Sequence, residues 1–371
     1  MIPIYKPYIK KYNTNAIKAI NDEWISNHGI YINLASDLIN KIFGIKYSIL
    51  MNNGTSATHC LLLSIKYKYP NIKKIYIPNN VFIAPLNCTL KEYGPDNIEI
   101  LKSSNDNVNF CLDEDYLLSL DKNSAILIVH NLGYIIDIDK IKKIRPDIVL
   151  VEDNCEGIFG KYNNKYSGTD TLCSSLSFYG NKTITSGEGG CYMTNDIELY
   201  KYIKMIYSHG MSNIKYIHDD IGYNYRMTNI QAAFLYDQLM DYNSILNLKK
   251  NIFKNYNDLI NQELKDYDVY RIKDKPNTEN SHWMYVLFIN NLKFNHFEKY
   301  LLDNEIQIRP LFYDIREHKY IKNSINIPYE KNLLFNNGFM LPSYPELTFE
   351  EQKYIISTIK NYIITFLTNK I

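Results

Sequence analysis

An alternation of short apolar segments with helical ones constrains this chain more than any other feature of its sequence. The segments YSILM, KIYI, SAILIV and DIVLVED are each followed by a polar turn, and a helical pattern then follows in most cases. Buried strands separated by helices form βαβ units, in which the strands run parallel. We therefore predict an α/β fold with a mainly parallel sheet. Ligands of such sheets bind beyond the carboxyl ends of the strands.

Helical patterns flank this alternating region on both sides. Helices are predicted over residues 14–26 and 33–43, and a nearly unbroken helical pattern runs from about residue 227 to 260. The segment WMYVLFI then predicts a strand, followed by a helix near residues 294–305 and a long terminal helix from Thr348. This order predicts a large domain of residues 1–240 and a smaller C-terminal α+β domain of residues 241–371.

The charge and cysteine content exclude several classes of function. The 41 Lys and Arg residues balance 40 Asp and Glu residues, so no global charge attracts nucleic acid or an acidic membrane. No apolar run approaches the ~18–20 residues that cross a bilayer, and the first residues lack a signal-peptide core. None of the six cysteines forms a CxxC pair, which predicts reduced core thiols and no metal site. We expect a cytoplasmic protein, in the host cytoplasm if the source is a virus.

Four polar motifs fall where strands are predicted to end: NNGTSA, PNNVF, EDNCEG and YGNK. In the first of them, Gly54 permits a close turn, and Thr55 and Ser56 begin a helix. The free N–H groups of a helix start favour phosphate. Taken alone, however, this motif is better explained as an ordinary helix cap.

An acid and a lysine follow two of the other predicted strands. Asp153 ends a buried strand, and Lys182 lies beside Gly180 in a stretch where nine of the fifteen glycines fall between Gly157 and Gly222. Each has an ordinary alternative, a loop acid or a solvated lysine, and a metal site near Asp153 would lack histidine. Together with a phosphate loop, they match what pyridoxal phosphate requires: a lysine for the Schiff base, an acid facing the pyridine nitrogen and a phosphate cup.

Longer motifs carry a resemblance that covers nearly the whole chain. They are NGTSA, IPNNVFIA, VHNLG, VEDNCEGIFG, SFYGNKTITSGEGG, GYNYRMTNIQAA and LPSYPELT. With these motifs the chain resembles the pyridoxal-phosphate nucleotide-sugar aminotransferases of the DegT/StrS type, which have the type I aminotransferase fold. The segments WISNHGIYI, NYRMTNIQAA and IRPLFY resemble most the enzymes that aminate carbon 4 of 4-keto-6-deoxy sugars, the perosamine and viosamine type.

The resemblance implies roles for individual residues. Lys182 would form the Schiff base and Asp153 would face the pyridinium, and both are expected to be catalytic. The expected cofactor contacts are Thr55, Ser56, Phe82, Asp153, Glu156, Ser177, Lys182 and Asn224. Phe82 would stack on the ring, and Asn224 would reach the phosphate in the site of a partner subunit. The expected sugar contacts are Arg226, Arg309 and His209.

The implied reaction moves an amino group, from glutamate by resemblance, to a nucleotide-linked keto sugar in a homodimer with shared active sites. The product would be a 4-amino-4,6-dideoxy sugar for glycan synthesis. A 3-ketosugar aminotransferase and a cofactor-binding regulator without turnover remain alternatives. Dehydratases of the family have histidine in place of the lysine, so Lys182 argues against that activity. The sequence determines neither the nucleotide nor the sugar epimer.

Overall fold

A seven-stranded sheet forms the centre of the protein, whose computed structural model describes residues 1–104, 108–321 and 337–367. In chain order the strands of the first half are β1 Tyr47–Met51, β2 Lys74–Ile77, β3 Ile98–Ile100, β4 Ser124–Val129, β5 Val149–Asp153, β6 Lys161–Tyr162, β7 Lys165–Tyr166, β8 Ser174–Ser177 and β9 Gly190–Thr194. The order across the sheet is β1-β9-β8-β5-β4-β2-β3, while β6 and β7 lie outside it.

Six of these seven strands point the same way. The neighbours from β3 to β8 are parallel, and β9 alone is reversed because it pairs antiparallel with both β8 and β1. The predicted α/β class with a mainly parallel sheet is therefore confirmed. Since β1, β5 and β8 share one direction, their carboxyl ends meet at one edge of the sheet.

Helices cover both faces of the sheet and build the second half of the chain. They are α1 Thr14–Asn21, α2 Ile30–Phe43, α3 Gly54–Lys68, α4 Ile83–Tyr93, α5 Glu114–Ser119, α6 Ile138–Ile144, α7 Ile197–Ile206, α8 Asn229–Met240, α9 Tyr242–Glu263, α10 Phe294–Asp303 and α11 Phe349–Phe366. The first helix ends before the predicted residue 26, since Glu23 adopts a left-handed φ of 60°. The helical pattern from residue 227 comprises two helices, which meet at Asp241.

A second sheet of four antiparallel strands lies in the C-terminal region, in the order β10-β12-β14-β13. The strands here are β10 Val269–Tyr270, β11 Thr278–Glu279, β12 Tyr285–Ile289, β13 Arg309–Pro310 and β14 Gly338–Leu341, and β11 joins β6 and β7 in a small third sheet. The helices α9, α10 and α11 share one hydrophobic core with the four-stranded sheet. The division into residues 1–240 and 241–371 stays a prediction. No helix in the described ranges is both long and apolar enough to cross a membrane.

Candidate active site

The turn after β1 and the start of β9 approach each other closely beside the end of β8. Gly190, at the start of β9, pairs with Met51 on one side and with Ser177 on the other. A Cβ atom on Gly190 would lie 2.3 Å from the carbonyl oxygen of Asn53, a distance that no side chain allows. A glycine is therefore required here for the turn after β1 to approach β8.

The turn after β1 begins α3 beside Ser177. The Asn53 side chain caps the helix, with Oδ1 accepting from the Ser56 N–H at 2.8 Å. A Cβ on Gly54 would lie 2.8 Å from Cβ of Ser177, so this turn also depends on glycine. Thr55 is exposed, whereas Ser56 and Ser177 are buried. The structure thus brings the three predicted phosphate contacts together at a helix N-terminus, where N–H groups and the helix dipole favour an anion.

Asp153 is the last residue of β5 and is 4% exposed. Its Oδ2 accepts a hydrogen bond from the hydroxyl of Thr58 at 2.9 Å, and its Oδ1 accepts from the N–H of Cys155 at 3.0 Å. These two donors fix the orientation of the carboxylate. Sequence reasoning missed Thr58, although its place one helical turn after Gly54 puts it on the face of α3 that meets the sheet.

Glu156 follows Asp153 in the turn after β5 and is also buried. Its Oε2 accepts from the N–H of Leu132 at 2.7 Å. Burial raises the pKa of the Glu156 carboxyl from 4.5 to about 7, although the charge of Lys182 and the Leu132 N–H lower it. The carboxyl can therefore exist in its neutral, proton-donating form near neutral pH.

Lys182 is half-buried and directs its amine at an aromatic ring. The Nζ atom lies 3.9 Å from the centroid of the Trp283 ring, and no ion pair of Lys182 is found within the described part of the chain. The charges of Lys182 and Asp153 both act on Glu156, in opposite directions. Asp153, Glu156 and Lys182 thus lie near one another, and α3 begins beside Asp153 and Ser177; we call this group of residues the inner pocket.

Three other predicted residues form a separate group. The guanidinium of Arg226 donates to Oδ1 of Asn224 at 3.1 Å and to the hydroxyl of Ser208 at 3.2 Å, and its third contact is Nε2 of His209 at 3.1 Å. We call Ser208, His209, Asn224 and Arg226 the outer cluster. His209 and Asn224 are exposed, and neither hydrogen-bonds to a side chain of the inner pocket among the described residues.

A buried histidine attaches the outer cluster to the pocket helix. On α3, Nδ1 of His59 lies 2.9 Å from the hydroxyl of Tyr225, and Nε2 lies 2.7 Å from Oε1 of Glu92. The hydrogen bonds from His59 and Lys66 help to lower the pKa of Glu92 to about 2, against the effect of its burial. The backbone adds a further link, since the N–H of Asn52 donates to the carbonyl of Tyr225 at 2.8 Å. The segment next to Asn224 is therefore fixed relative to the phosphate turn.

The remaining two predicted residues lie toward the C-terminal region. Phe82 immediately precedes α4 with its ring 51% exposed, and its edge contacts Phe312 at a centroid distance of 5.9 Å. The guanidinium of Arg309, on β13, lies 5.0 Å from the ring centroid of Tyr5. Neither contact tests the predicted role of these residues.

The inner pocket fits pyridoxal phosphate by the polar atoms it leaves unsatisfied. The side-chain oxygens of Asn52, Asn181 and Thr183 are buried around the pocket loops and have no hydrogen-bond partner within the described ranges. Such atoms are uncommon in folded proteins and mark a polar ligand or water. A primary amine, a buried carboxylate and an anion-binding helix start are the donor set that this cofactor needs. Among the described residues, no group of three or more His, Cys, Asp or Glu side chains could hold a metal ion.

Comparisons with known proteins agree with this geometry. The family model of the DegT/DnrJ/EryC1/StrS aminotransferases matches residues 7–360. A GDP-perosamine synthase of Escherichia coli O157:H7 is 30% identical over 97% of this chain and 98% of its own length, and one of Vibrio cholerae is 29% identical over 98% and 99%.

Solved structures share the fold at lower identity. The pyridoxal-phosphate form of the putative sugar aminotransferase Spr1654 from Streptococcus pneumoniae has a TM-score of 0.88 and 20% identity, with 99% of this chain and 100% of that chain covered. Helicobacter pylori PseC, an aminotransferase of pseudaminic acid biosynthesis, has a TM-score of 0.85 and 21% identity, with 97% and 98% covered. The chain therefore belongs to the DegT/DnrJ/EryC1/StrS aminotransferase family, and its cofactor is pyridoxal phosphate.

Proposed function

We propose that this protein transfers an amino group from an amino acid, glutamate by resemblance, to carbon 4 of a nucleotide-linked 4-keto-6-deoxy sugar. The observation that carries the proposal is the pair of Lys182 and Asp153, which both lie close enough to Glu156 for their charges to act on its carboxyl. Similarity over nearly the full length to two enzymes named GDP-perosamine synthase supports the choice of carbon 4. The product is a 4-amino-4,6-dideoxy sugar.

Different residues are proposed to contact different parts of the cofactor. The start of α3, with Thr55, Ser56 and Ser177, binds the phosphate group. The carboxylate of Asp153, oriented by Thr58, would hold the pyridine nitrogen in its protonated form, and Phe82 would contact the cofactor ring. When bound, the cofactor supplies an electron sink that stabilises a carbanion at the substrate carbon.

Lys182 performs the chemical steps that belong to the protein. With the cofactor bound, the Lys182 amine would hold it covalently and, once free, would serve as the general base and acid that moves a proton at the substrate carbon. Its half-buried position excludes much of the solvent, so the proton is kept within the pocket. The Glu156 carboxyl, in its neutral form, donates a hydrogen bond beside the same space.

We further propose a homodimer in which the outer cluster completes the pocket of the partner subunit. Within the described chain, the cation of Arg226 contacts neutral groups only, and Asn224 is exposed. Large apolar side chains in the segment between the two halves of the cluster are exposed as well: Ile214, Tyr216, Ile217 and Ile221. An apolar patch beside an unpaired cation favours burial against a second copy that presents an anion. In this arrangement Asn224 contacts the phosphate, and His209, Arg226 and Arg309 contact the nucleotide sugar.

One experiment decides between this function and its alternatives. The protein carrying pyridoxamine phosphate is mixed in turn with GDP-, dTDP- and UDP-linked 4-keto-6-deoxy sugars, and the return of pyridoxal absorbance is followed. We expect rapid return with one nucleotide and an amine on carbon 4 of the product by NMR. An amine on carbon 3 would instead identify a 3-ketosugar aminotransferase. No return with any keto sugar would favour a regulator that binds the cofactor without turnover.

A further inference from the structure

A tryptophan from the C-terminal region contacts the lysine loop at two points. The ring of Trp283 lies under the amine of Lys182, and its indole N–H donates to the carbonyl of Asn181 at 3.0 Å. Trp283 is 4% exposed and packs in a core cluster with Leu132, whose N–H binds Glu156. The indole therefore joins the loop that carries the lysine to the turn that binds the neighbouring acid.

A buried lysine binds the backbone carbonyl of Trp283. The ammonium of Lys249, on α9, donates to the carbonyl of Trp283 at 2.8 Å and also to the carbonyl of Ser343. Lys249 is 3% exposed, and burial lowers its pKa from 10.5 to about 7. Placing a cationic group here costs stability, and two backbone carbonyls offset only part of that cost. The position of Lys249 thus serves the backbone that carries Trp283.

The face of an indole ring attracts a cation without neutralising it. An ammonium within about 6 Å of the ring centroid is bound by the ring quadrupole, most strongly when water is excluded. A carboxylate partner would instead bind the amine by a strong charge-assisted hydrogen bond. Asp153 and Glu156 lie in the same pocket, so the ring offers the amine a site apart from both acids.

We propose that Trp283 is a positioning residue that holds the amine of Lys182 at the place where it reacts, with Lys249 fixing Trp283. This inference rests on the function proposed above, because it takes Lys182 as the reacting residue. The step concerned is the capture of the cofactor: the ammonium releases one proton to water, the neutral amine nitrogen adds to the aldehyde carbon, a carbon–nitrogen double bond forms, and the aldehyde oxygen leaves as water. Trp283 contributes by placing the nitrogen, and capture is slower without it.

The contact can be measured in the cofactor-free protein through tryptophan emission. The chain has two tryptophans, so in the background of Trp24→Phe all tryptophan emission comes from Trp283. An ammonium beside an indole quenches its emission, and Lys182→Met in that background is therefore expected to raise the emission intensity. The matched control is Lys140→Met, an exposed lysine on α6, which should leave the emission unchanged. Equal emission with and without the Lys182 amine would overturn the proposal.

The positioning role is tested by the rate at which Lys182 captures pyridoxal phosphate. Captured cofactor is reduced with borohydride, and the peptide containing Lys182 is quantified by mass spectrometry. We expect Trp283→Leu to slow capture about tenfold or more, because misplacement of a reacting group is costly. Trp283→Phe keeps a ring face and loses the N–H donor, so it should capture at an intermediate rate. Lys249→Met, which releases the Trp283 backbone, should slow capture less than Trp283→Leu.

Phe297→Leu separates positioning from a general loss of stability. Phe297 is a fully buried aromatic residue on α10, in a different core cluster from Trp283. The Phe297→Leu variant should be less stable than wild type and should capture the cofactor at the wild-type rate. Capture by Trp283→Leu as fast as by Phe297→Leu would overturn the proposal. Neither measurement uses a sugar, so a failure of the proposed sugar amination would be seen separately.

Discussion

The inner pocket and the outer cluster were both expected to serve one kind of active site, the cluster through a cofactor contact of Asn224 and sugar contacts of Arg226 and His209, but they differ in how complete they are within one chain. In the pocket, each carboxylate is buried and receives hydrogen bonds from this chain: Asp153 from Thr58 and Cys155, and Glu156 from Leu132. In the outer cluster, the guanidinium of Arg226 contacts no carboxylate among the described residues, and its neighbours His209 and Asn224 are exposed.

The two regions differ in whether their charged groups must be paired within a single folded chain. A buried carboxylate has to be satisfied inside the folded chain, since an unpaired one would be very costly. A half-buried arginine such as Arg226 keeps part of its hydration and can be paired later by an anion. The comparison thus favours a pocket that one chain completes and a cluster that acts on another chain.

The largest effect is expected at Lys182. Lys182→Ala should abolish amino transfer and leave the fold intact, because the amine is half-buried and makes no ion pair in the described residues. Activity is measured with the keto sugar that returns pyridoxal absorbance in the experiment proposed above, and folding is checked by circular dichroism. Lys140→Ala removes an exposed lysine as a control. Turnover of Lys182→Ala within about tenfold of wild type would contradict nucleophilic catalysis by this residue.

The next effect concerns the acid that faces the pyridine ring. Asp153→Asn should reduce the amino-transfer rate by orders of magnitude, since a neutral amide does not stabilise a protonated ring nitrogen. The rate is compared with that of Asp266→Asn, an exposed aspartate outside the pocket. A near-normal rate for Asp153→Asn would show that another group protonates the ring.

The difference between the two regions is tested directly by mixing inactive subunits. Lys182→Ala is mixed with the double variant Asn224→Ala, Arg226→Ala, and subunit exchange is verified with affinity tags. If the outer cluster acts on the partner, mixed dimers contain one intact site, and activity should recover to about a quarter of wild type.

A matched control for this mixture uses two defects in the inner pocket. Lys182→Ala mixed with Asp153→Asn should stay inactive, because both residues of a site then come from the same chain. Zero recovery in the first mixture, despite proven exchange, would show that each site is built by one chain. The outer cluster would then serve its own subunit.

The smallest effect is a pH dependence of stability at Glu156. Burial raises its pKa from 4.5 to about 7, so between these values the unfolded chain releases a proton that the folded chain keeps. The contribution of the Glu156 carboxyl to the free energy of unfolding is thus fully present below about pH 4.5. It is lost as the pH rises to about 7. Over that interval, wild type should lose about 3 kcal/mol relative to Glu156→Gln.

This prediction is measured by urea unfolding of the cofactor-free protein at several pH values. Glu198→Gln, on the exposed surface of α7, is the control and should track wild type. Parallel pH profiles of wild type and Glu156→Gln would mean that the buried carboxyl carries no such penalty.

The sequence was sufficient for the parts of the site that lie at strand ends. A buried strand followed by a polar turn identifies the segment near Asp153, and glycines that permit close approach identify the turns near Gly54 and Lys182. Thr58, Trp283 and Lys249 were not found from the sequence. Thr58 and Lys249 belong to helices and Trp283 lies just before β12, where a local pattern predicts only burial, and their partners lie far away along the chain.

The sequence by itself determined the α/β class and the strand ends near which the candidate pocket residues lie, because local periodicity and turn chemistry specify where strands end. The family followed from the resemblance carried by its longer motifs. The tertiary structure decided which of those residues share a space. It separated Asn224, Arg226 and His209 from the inner pocket and placed a C-terminal tryptophan against Lys182. The physical reason is that contacts between distant segments follow from the packing of whole elements, which no local pattern of residues encodes.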